Sequence, residues 1–444
     1  MIVIIGAGPA GLAAAHELVT AGLSATIIDH NLHVGGQYWR HKYGEDFPEA
    51  RFAYLVDHPQ ITWLLGSSVW QIQKKSGAFE IHLAGESSDR VVTASSLIVA
   101  TGAIERVLPT KGWTTAGALT AGGLQSLAKG HGLVPGNKVV IAGSGVFAMP
   151  VAQSLSSFDD VEIVAIIEAR SFLRWWRNLP GFILNPGKIV EALGYLSFIA
   201  RSRIPIIQNS LISEITSDSG GISSISVHKV DSTFKKRGDG RTIDCDLVAS
   251  TFGFIPDMTL PSILGLSRQY KFDDVVVVVD RNQQTSIENV YAAGEVTGIG
   301  GHELAMTEGA LAGLAIAQNA RRSRFAILAL RWRRLRQQVF ADGLYRIYRV
   351  PQSWVAQVPR DTTICRCEEV SLGEIIDSVE ELGADSARVA KLFTRAGMGL
   401  CQGRICQRNV ADIATHCTGA ERGDPNRETM RPIGGVVTLG ELSD

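Results

Sequence analysis

Four of the six cysteines in this 444-residue chain stand near its C-terminus as two close pairs. One residue separates Cys365 from Cys367, and four residues separate Cys401 from Cys406. Four thiolates at one site bind tetrahedral zinc or an iron–sulfur cluster. Zinc sites usually have about two to four residues between paired cysteines, so this spacing is less usual for zinc. A cluster, a zinc ion and an empty site are the alternatives, and ligand cysteines of this kind indicate a reducing, cytoplasmic environment.

The residues around the two pairs predict a small helical frame. Ser371 and Glu374 form a capping box at the start of a helix that Gly383 closes. Gly397 and Gly399 lie in a loop that leads to the second cysteine pair, at the start of another helix. We expect backbone N–H groups of this loop to face the sulfur atoms, where they would help to set the potential of a cluster.

The first 29 residues carry a second chemical pattern. An apolar strand leads into the turn Gly6-Ala7-Gly8-Pro9-Ala10-Gly11, and an Ala/Leu-rich helix follows. Gly6 permits the tight turn, Gly8 lets a pyrophosphate approach the backbone, and Gly11 lets the helix pack on the strand. The pyrophosphate would bind free N–H groups at the helix N-terminus. Asp29 ends the next strand, where a carboxylate can bind both ribose hydroxyls. The pattern predicts a bound dinucleotide.

Several later glycine-rich turns supply further candidate cofactor-binding residues. These are Gly36, Gln37, Ala100, Thr101, Gly102, Gly294, Glu295, Gly301 and His302. Gln37 could hydrogen-bond a ring edge or a ribityl chain, and Glu295 a ribityl hydroxyl. The helix after Gly301 would direct its positive end toward the electron-rich part of a flavin. His302 either acts as an acid–base residue or, as the preferred alternative, caps or packs. Between these turns, residues 61–95 predict an antiparallel meander.

A second strand–turn–helix pattern begins at Val139. Gly143 and Gly145 form its turn, and Glu168 ends the following strand with the spacing of Asp29. This unit either binds a nicotinamide dinucleotide or is an empty structural copy. The segment 170–203 is inserted where an incoming nicotinamide would need open space, so NAD(P) is the weaker expectation.

Composition narrows the class of protein. The net charge of −1 gives no general attraction to nucleic acid, and the longest later apolar stretch, 182–200, is too interrupted by polar residues to span a membrane. Arg321–Arg336 predicts a basic amphipathic helix that lies on a membrane surface, contacts another subunit, or packs on its own domain as a linker. Cys245 and Cys417 have no ligand context and are predicted to be packing residues.

The order of these motifs resembles the two-dinucleotide-binding-domain flavoproteins of the thioredoxin-reductase-like type. The resemblance implies an α/β fold with two Rossmann-like domains, one inserted in the other, and a small helical C-terminal [2Fe-2S] domain. It places an FAD-binding domain at 1–112 and 249–322 and the second nucleotide domain at 113–248. A basic helical linker (323–360), the [2Fe-2S] domain (361–420) and a tail (421–444) follow. No Cys-x-x-Cys precedes Glu168, which excludes disulfide reductase chemistry.

The C-terminal motif resembles the [2Fe-2S] module of bacterioferritin-associated ferredoxin, although the second cysteine pair is wider here. With the Thr394-Arg-Ala-Gly-Met-Gly phrase, the chain is similar to large subunits of opine oxidases, the corresponding hydrogen cyanide synthase subunit, and α subunits of amino-acid dehydrogenases. The resemblance implies FAD, a [2Fe-2S] cluster ligated by the four cysteines, and a smaller FAD-containing catalytic partner. It leaves room for FMN at a subunit interface, a quinone or other acceptor, and peripheral membrane contact on the inner face.

Two alternatives follow from other classes of protein. A self-contained NAD(P)H-dependent reductase would use Gly143, Gly145 and Glu168 to bind a nicotinamide cofactor. A non-catalytic subunit would keep its nucleotide and cluster for assembly or sensing. In the preferred interpretation the chain transfers electrons, and no catalytic acid or nucleophile is assigned to it.

Overall fold

The computed structural model describes residues 1–42, 45–86, 90–318, 324–421 and 433–442. They form two compact units. The first contains Met1–Ile104, Ile255–Asp342 and the described tail residues; the second contains Glu105–Phe254 and the chain from Gly343 as far as residue 421. We call the segment that holds Cys365, Cys367, Cys401 and Cys406 the cysteine module. The second nucleotide-type pattern and the cysteine module therefore belong to the same unit.

The strands alternate with helices along most of the chain, as expected for an α/β fold. The strands are β1 (Ile2–Ile5), β2 (Ala25–Ile28), β3 (Ile61–Leu64), β4 (Ser67–Lys75), β5 (Ala78–Gly85), β6 (Val91–Ala94), β7 (Ser96–Val99), β8 (Ala103–Glu105), β9 (Ala118–Thr120), β10 (Lys138–Gly143), β11 (Glu162–Glu168), β12 (Ile206–Gln208), β13 (Ser210–Asp218), β14 (Gly221–Val230), β15 (Lys236–Asp244), β16 (Leu247–Thr251), β17 (Phe254–Pro256), β18 (Arg268–Lys271), β19 (Asp274–Val277), β20 (Val290–Ala292), β21 (Thr363–Cys365) and β22 (Val370–Ser371).

The α-helices are α1 (Pro9–Thr20), α2 (Ala50–Ala53), α3 (Ala121–His131), α4 (Ala148–Leu155), α5 (Leu179–Leu184), α6 (Gly187–Ser202), α7 (Thr259–Ile263), α8 (His302–Ile316), α9 (Arg324–Tyr348), α10 (Leu372–Glu380), α11 (Ala387–Thr394), α12 (Gln407–Thr418) and α13 (Leu439–Leu442). Short 3-10 segments cover Phe172–Asn178, Glu295–Thr297 and Gln352–Gln357. Within the described residues, no helix combines the length and the apolar character that crossing a membrane requires.

The first unit is built on a parallel sheet with strand order β20-β7-β1-β2-β3. Alternate residues of β1 point to opposite faces. Ile4 therefore packs with the helices, whereas Val3 and Ile5 pack with the meander β4–β6. Helices α1 and α8 lie in close contact: a Cβ atom at Gly309 would collide with the Ala10 carbonyl. The Ala/Gly-rich sequence of both helices permits this approach.

The expected meander over 61–95 is only partly correct. Strands β4, β5 and β6 pair antiparallel, but β3 pairs in parallel with β2 at the edge of the main sheet. An edge strand of a parallel sheet has one side less covered, so it shows the same alternation of polarity as a strand of a meander.

The second unit repeats the parallel arrangement with strand order β12-β11-β10-β16-β9. The antiparallel sheet β13–β15 follows it. The cysteine module has α10, α11 and α12 around Ile375, Ala390 and Ile413, and its hydrophobic core continues to Val230 and Phe234 of the second unit. The capping box of Ser371 and Glu374 is confirmed at the start of α10.

The arginine-rich run forms α9, and two of its arginines point inward. Arg331 donates to Asn282 Oδ1 at 2.7 Å, and Arg334 Nε donates to Glu308 Oε1 at 2.8 Å. Ile327 and Ile347 of the same helix are buried, but four of its large apolar side chains are exposed, namely Phe325, Leu328, Trp332 and Leu335. The exposed side of this helix therefore carries apolar side chains as well as Arg324. Arg321 and Arg322 lie outside the described residues.

Candidate functional site

The first glycine turn joins β1 to α1, and each glycine has its own reason to lack a side chain. Gly6 has φ +111°, and a Cβ atom there would collide with the Ala100 carbonyl. A Cβ at Gly11 would collide with the carbonyl of Gly6. At Gly8, in contrast, the nearest chain atom to a Cβ is Gly36 Cα at 4.0 Å. Packing explains Gly6 and Gly11, whereas the open side of Gly8 fits a ligand.

Pro9 and Ala10 begin helix α1, and Gly8 is its N-cap with no side-chain hydrogen bond of its own. The free N–H groups of this first turn fit a pyrophosphate. Gly36 lies against Gly8, because a Cβ at Gly36 would approach Gly8 Cα to 2.9 Å. The two glycines therefore form an open cradle at the carboxyl end of β1.

Asp29 lies at the end of β2, as predicted, and its carboxylate is buried. The Ala7 N–H donates to Oδ2 at 2.7 Å, and the backbone and side-chain nitrogens of Asn31 donate to Oδ1 at 2.8 Å. The carboxylate thus connects the glycine turn to the loop after β2. This fixes its position beside the cradle, and ribose binding by Asp29 stays a prediction.

The predicted residues at Ala100–Gly102 and Gly294–His302 also fall in the first unit. Thr101 Oγ1 donates to the Asp257 carbonyl at 3.5 Å, and Gly102 has φ +76°. Glu295 accepts from the N–H groups of Gly300 (3.0 Å) and Gly301 (2.8 Å) with its two oxygens. Burial raises the pKa of Glu295 to about 7. The Glu295 carboxylate therefore stabilises the loop that contains Gly300 and Gly301.

His302 is the first residue of α8, and its ring stacks on Tyr38 with 3.8 Å between centroids and 14° between planes. The stack corresponds to the packing alternative for His302. Gln37 is exposed beside Tyr38. Tyr38 was missed by sequence reasoning because an aromatic residue after two glycines carries no signal for its distant partner.

A buried charged network supports the Gly294 turn, and sequence reasoning missed it. Glu308 is fully buried. Its Oε2 accepts from Gly294 N at 3.0 Å and from Thr297 Oγ1 at 2.7 Å, while Oε1 accepts from Arg334 Nε. Helix α9 therefore helps to position the turn after β20. In the sequence, Arg334 lies in an arginine-rich run whose composition is typical of a solvent-exposed surface, so nothing predicts a buried partner for it.

We expect Gly8→Ala to lower FAD retention by about tenfold, equivalent to about 1.4 kcal/mol of binding free energy. The backbone angles at Gly8 (φ −80°, ψ −171°) suit alanine, and the methyl group has open space. The chain itself is unstrained, so only an approaching pyrophosphate would clash. Released flavin measured against protein is the readout, and Gly187→Ala, also in open space, is the control. Full flavin retention in Gly8→Ala would show that no pyrophosphate approaches there.

The second glycine turn, between β10 and α4, is contacted by the carboxylate at the end of the next strand, as Asp29 contacts the first turn. Glu168 is buried at the end of β11. Its Oε2 accepts the Gly145 N–H at 3.1 Å, and its Oε1 accepts the Arg170 N–H at 2.8 Å. Burial raises the pKa of Glu168 to about 8 against the opposing effect of these amides. Gly143 has φ +153° and lies against Thr251.

The segment after α9 lies at the same turn. Ser144 Oγ donates to the Tyr348 carbonyl at 3.3 Å, and Trp175 Nε1 donates to the Tyr348 hydroxyl at 2.6 Å. The Arg170 guanidinium donates to the carbonyl of Arg349 at 2.6 Å. The predicted insertion therefore fastens the Tyr348–Arg349 segment at the turn, and the N–H of Gly145 is already hydrogen-bonded.

The four C-terminal cysteines come together in the cysteine module. Cys365 ends β21 and Cys406 is the N-cap of α12, and both thiols are buried; Cys367 is exposed. Cys365 interacts with Cys406, and Cys367 with Cys401. A [2Fe-2S] cluster takes two protein ligands at each iron. The two thiol pairs, which also influence each other, fit that requirement.

Backbone amides face the sulfur atoms, as the glycine-rich loop predicted. Gly397 N donates to Cys365 Sγ at 3.4 Å. Burial opposes ionisation of Cys401, but the N–H groups of residues 403–405 and the Cys367 thiol outweigh it and lower the pKa of Cys401. Burial, and then the neighbouring Cys365, raise the pKa of Cys406. The surroundings of Cys401 therefore favour its thiolate, whereas those of Cys406 oppose ionisation.

A buried ion-pair network holds α12 in place beside the cysteines. Asp412 Oδ2 accepts from Arg106 Nη2 at 2.8 Å and from Trp354 Nε1 at 3.4 Å. Arg408 Nε lies 3.3 Å from Asp412 Oδ1. Both Arg106 and Asp412 are buried. No sequence signal pairs them, because 306 positions separate the two residues.

Two family models match separate parts of the chain. The family model described as pyridine nucleotide-disulphide oxidoreductase matches residues 1–323, and the BFD-like [2Fe-2S] binding domain matches residues 363–416. The opine oxidase A subunit of Rhizobium meliloti (strain 1021) is 30% identical over all of this chain and 98% of its own length. This chain belongs to the opine oxidase A-subunit family. The family is one of flavin oxidoreductases, and its two matched domains account for FAD and a [2Fe-2S] cluster as cofactors.

Two further comparisons agree with this family. Hydrogen cyanide synthase subunit HcnB of Pseudomonas aeruginosa is 30% identical and covers 94% of this chain and 93% of its own length. The crystal structure of L-proline dehydrogenase from P. horikoshii superimposes with a TM-score of 0.70 at 18% identity, over 99% of this chain and 78% of that one, which shows the fold. The expected α/β fold with a C-terminal [2Fe-2S] domain and the expected family are confirmed.

Proposed function

We propose that this chain is the electron-transferring flavin and iron–sulfur subunit of a hetero-oligomeric amino-acid or opine dehydrogenase. The proposal rests on one observation. The same chain combines an open glycine cradle at Gly8 and Gly36 with two thiol pairs in a [2Fe-2S] module. FAD accepts a pair of electrons, and a [2Fe-2S] cluster carries them one at a time. Similarity over nearly the full length of the opine oxidase A subunit supports the combination.

The residues of this chain hold and orient its cofactors in the proposal. Gly8 and Gly36 leave room for the pyrophosphate, and Asp29 lies ready to accept ribose hydroxyls. Cys365, Cys367, Cys401 and Cys406 ligate the two irons, with amides of the loop directed at two of the sulfurs. No residue here is assigned as the base that acts on substrate. That role belongs to a smaller FAD-containing partner subunit, which oxidises the CH–NH bond.

The second nucleotide domain is empty of nicotinamide in this proposal. Tyr348 lies at the second turn, where its carbonyl accepts from the Ser144 hydroxyl and its own hydroxyl accepts from the Trp175 indole. This arrangement supports a second domain closed to nicotinamide rather than a self-contained NAD(P)H-dependent reductase. The proposed electron-transfer route also includes a second flavin, FMN, at the interface with the partner. Its final acceptor is a quinone or another carrier. Peripheral contact with a membrane would bring such an acceptor close.

The test is a visible and EPR spectrum of the anaerobically purified chain, with flavin and iron quantified. We expect about one flavin and two irons per chain, a rhombic S = 1/2 signal after dithionite, and no bleaching by NADH or NADPH. No bleaching follows because the Tyr348 segment lies at the second turn. Rapid bleaching by NADH would replace this function with the reductase alternative. A bound flavin that neither nicotinamide nor an amino acid with partner present reduces would favour the non-catalytic alternative.

A further inference from the structure

The inserted segment 170–203 presents an exposed apolar surface on the second unit. Six large apolar side chains there are more than half exposed, and we call them the outer face: Leu173 (82%), Trp176 (72%), Leu179 (57%), Ile183 (68%), Val190 (72%) and Leu193 (59%). Helical spacing places Val190 and Leu193 on the same side of α6. This concentration of exposed apolar side chains needs a physical explanation, because water disfavours it.

The insertion is firmly folded beneath this face. On the opposite side of α6, Ile199 is buried and Tyr195 and Phe198 pack on the core of the second unit. Asn185 is buried and donates to the Gly181 carbonyl at 3.0 Å, which closes α5. The Trp175 indole donates to the Tyr348 hydroxyl. The fold therefore holds the outer face in a defined shape.

The exposure of these side chains exceeds what a single chain in water favours. All six are 57–82% exposed. Scattered single apolar residues on a surface are normal, whereas large exposed apolar patches mark interaction sites. Burial of this segment against another protein would account for the exposure.

We propose that the outer face is the docking surface for the flavoprotein partner subunit; this inference rests on the proposed function. The exposed or half-exposed charged side chains of the segment, which we call its rim, are mostly basic: Arg174, Arg177, Lys188, Arg201 and Arg203, with Glu191 paired to Lys188. A partner with an acidic rim complements this charge. A second copy docked through the same face would oppose its own basic rim, since a two-fold contact pairs a surface with itself.

An anionic lipid surface is the alternative occupant of the same residues, since basic amphipathic surfaces bind anionic lipid headgroups. The Arg201 guanidinium donates to the Ser197 hydroxyl at 2.6 Å, and the Arg177 guanidinium lies over the Trp176 ring at 5.9 Å, but both keep their positive charge in these contacts. The relatives to which this chain is similar are named as subunits, which favours a protein partner.

The experiment compares the tagged full chain with Val190→Glu/Leu193→Glu, both expressed in the source organism. The probe is the co-purifying second chain whose own flavin an amino acid or opine reduces. We expect the double variant to retain that chain at least about tenfold less, since charged side chains would have to be buried without partners. Its own flavin and cluster spectra should be unchanged. Leu133→Glu, an exposed leucine elsewhere, is the matched control and should retain the partner.

The outcomes separate this inference from the proposed function. Full retention of the flavoprotein by the double variant would contradict the assignment of the outer face as the docking surface. The proposed function would be unaffected. A wild-type homodimer that the double variant converts to a monomer, or vesicles of anionic lipid that bind wild type and not the variant, would also contradict that assignment. If the wild-type chain retains no substrate-reducible flavoprotein and NADH bleaches its flavin, the proposed function falls first and the inference with it.

Discussion

Cys406→Ser should abolish the cluster while leaving the flavin bound. Cys406 is buried beside Cys365, and serine would leave one thiol of that pair without its partner ligand. A serine hydroxyl is a poor substitute for a thiolate at iron. We expect iron content and the reduced EPR signal to fall by about tenfold or more, which at equilibrium corresponds to at least about 1.4 kcal/mol of binding free energy. Flavin should stay because its glycine cradle belongs to the other unit.

The chain offers a matched control for this substitution. Cys417 lies in α12 but belongs to neither thiol pair, and Cys417→Ser should keep iron, flavin and the EPR signal at wild-type levels. If Cys406→Ser retained a full complement of iron, the ligand assignment would be wrong. Stoichiometric zinc in place of iron in the wild-type chain would restore the alternative that the cysteine spacing left open.

Asp412→Ala should destabilise the second unit strongly. Asp412 is the carboxylate that faces Arg106, and both are buried. Asp412→Ala takes away the carboxylate that the Arg106 and Arg408 guanidiniums both face, and breaking a buried ion pair costs about 3–5 kcal/mol. We expect the urea midpoint of the second unit, followed by loss of the cluster's visible absorption, to shift well below that of wild type. The flavin transition of the first unit should move less.

Two variants show whether the lost charge pairing is the cause. Arg106→Met/Arg408→Met/Asp412→Leu removes all three charges of the network and replaces them with apolar groups, so most of the lost stability should return. Glu80→Ala breaks the exposed pair with Lys75 and should cost less than about 1 kcal/mol. An Asp412→Ala midpoint within error of wild type would mean that the buried pair does not hold α12 in place.

Local patterns predicted the elements that carry the cofactors. A β-branched strand, glycines at fixed spacing and an alanine-rich helix specify the turn at Gly6–Gly11, because the backbone conformation and the helix approach depend on neighbouring residues. The capping box at Ser371 and the amide–sulfur contact at Cys365 follow from equally local chemistry. Residues 61–64 were misassigned because an edge strand and a meander strand share one pattern of polarity.

Residues whose partners are distant in the sequence could not be predicted from local patterns. Asp412 and Arg106, and Glu308 and Arg334, are joined only by the fold. Glu168 has the position of a ribose-binding acid and accepts an N–H of its glycine turn as Asp29 does, but only the fold brings Tyr348 to the second turn. Arg334 matched a solvated basic face, yet it turns inward to Glu308. Residue type and spacing could not decide which way these charges point.

The sequence by itself predicted the family and the α/β fold, which are confirmed, and it made the glycine turns and the four cysteines the candidate cofactor sites, because these signals depend on short-range spacing. Tertiary structure alone decided that the Tyr348 segment lies at the second turn, and that the insertion's apolar side chains remain exposed. The physical reason is that burial and charge pairing are set by which segments meet. Segments such as those of Arg106 and Asp412, 306 positions apart, meet only after the chain has folded.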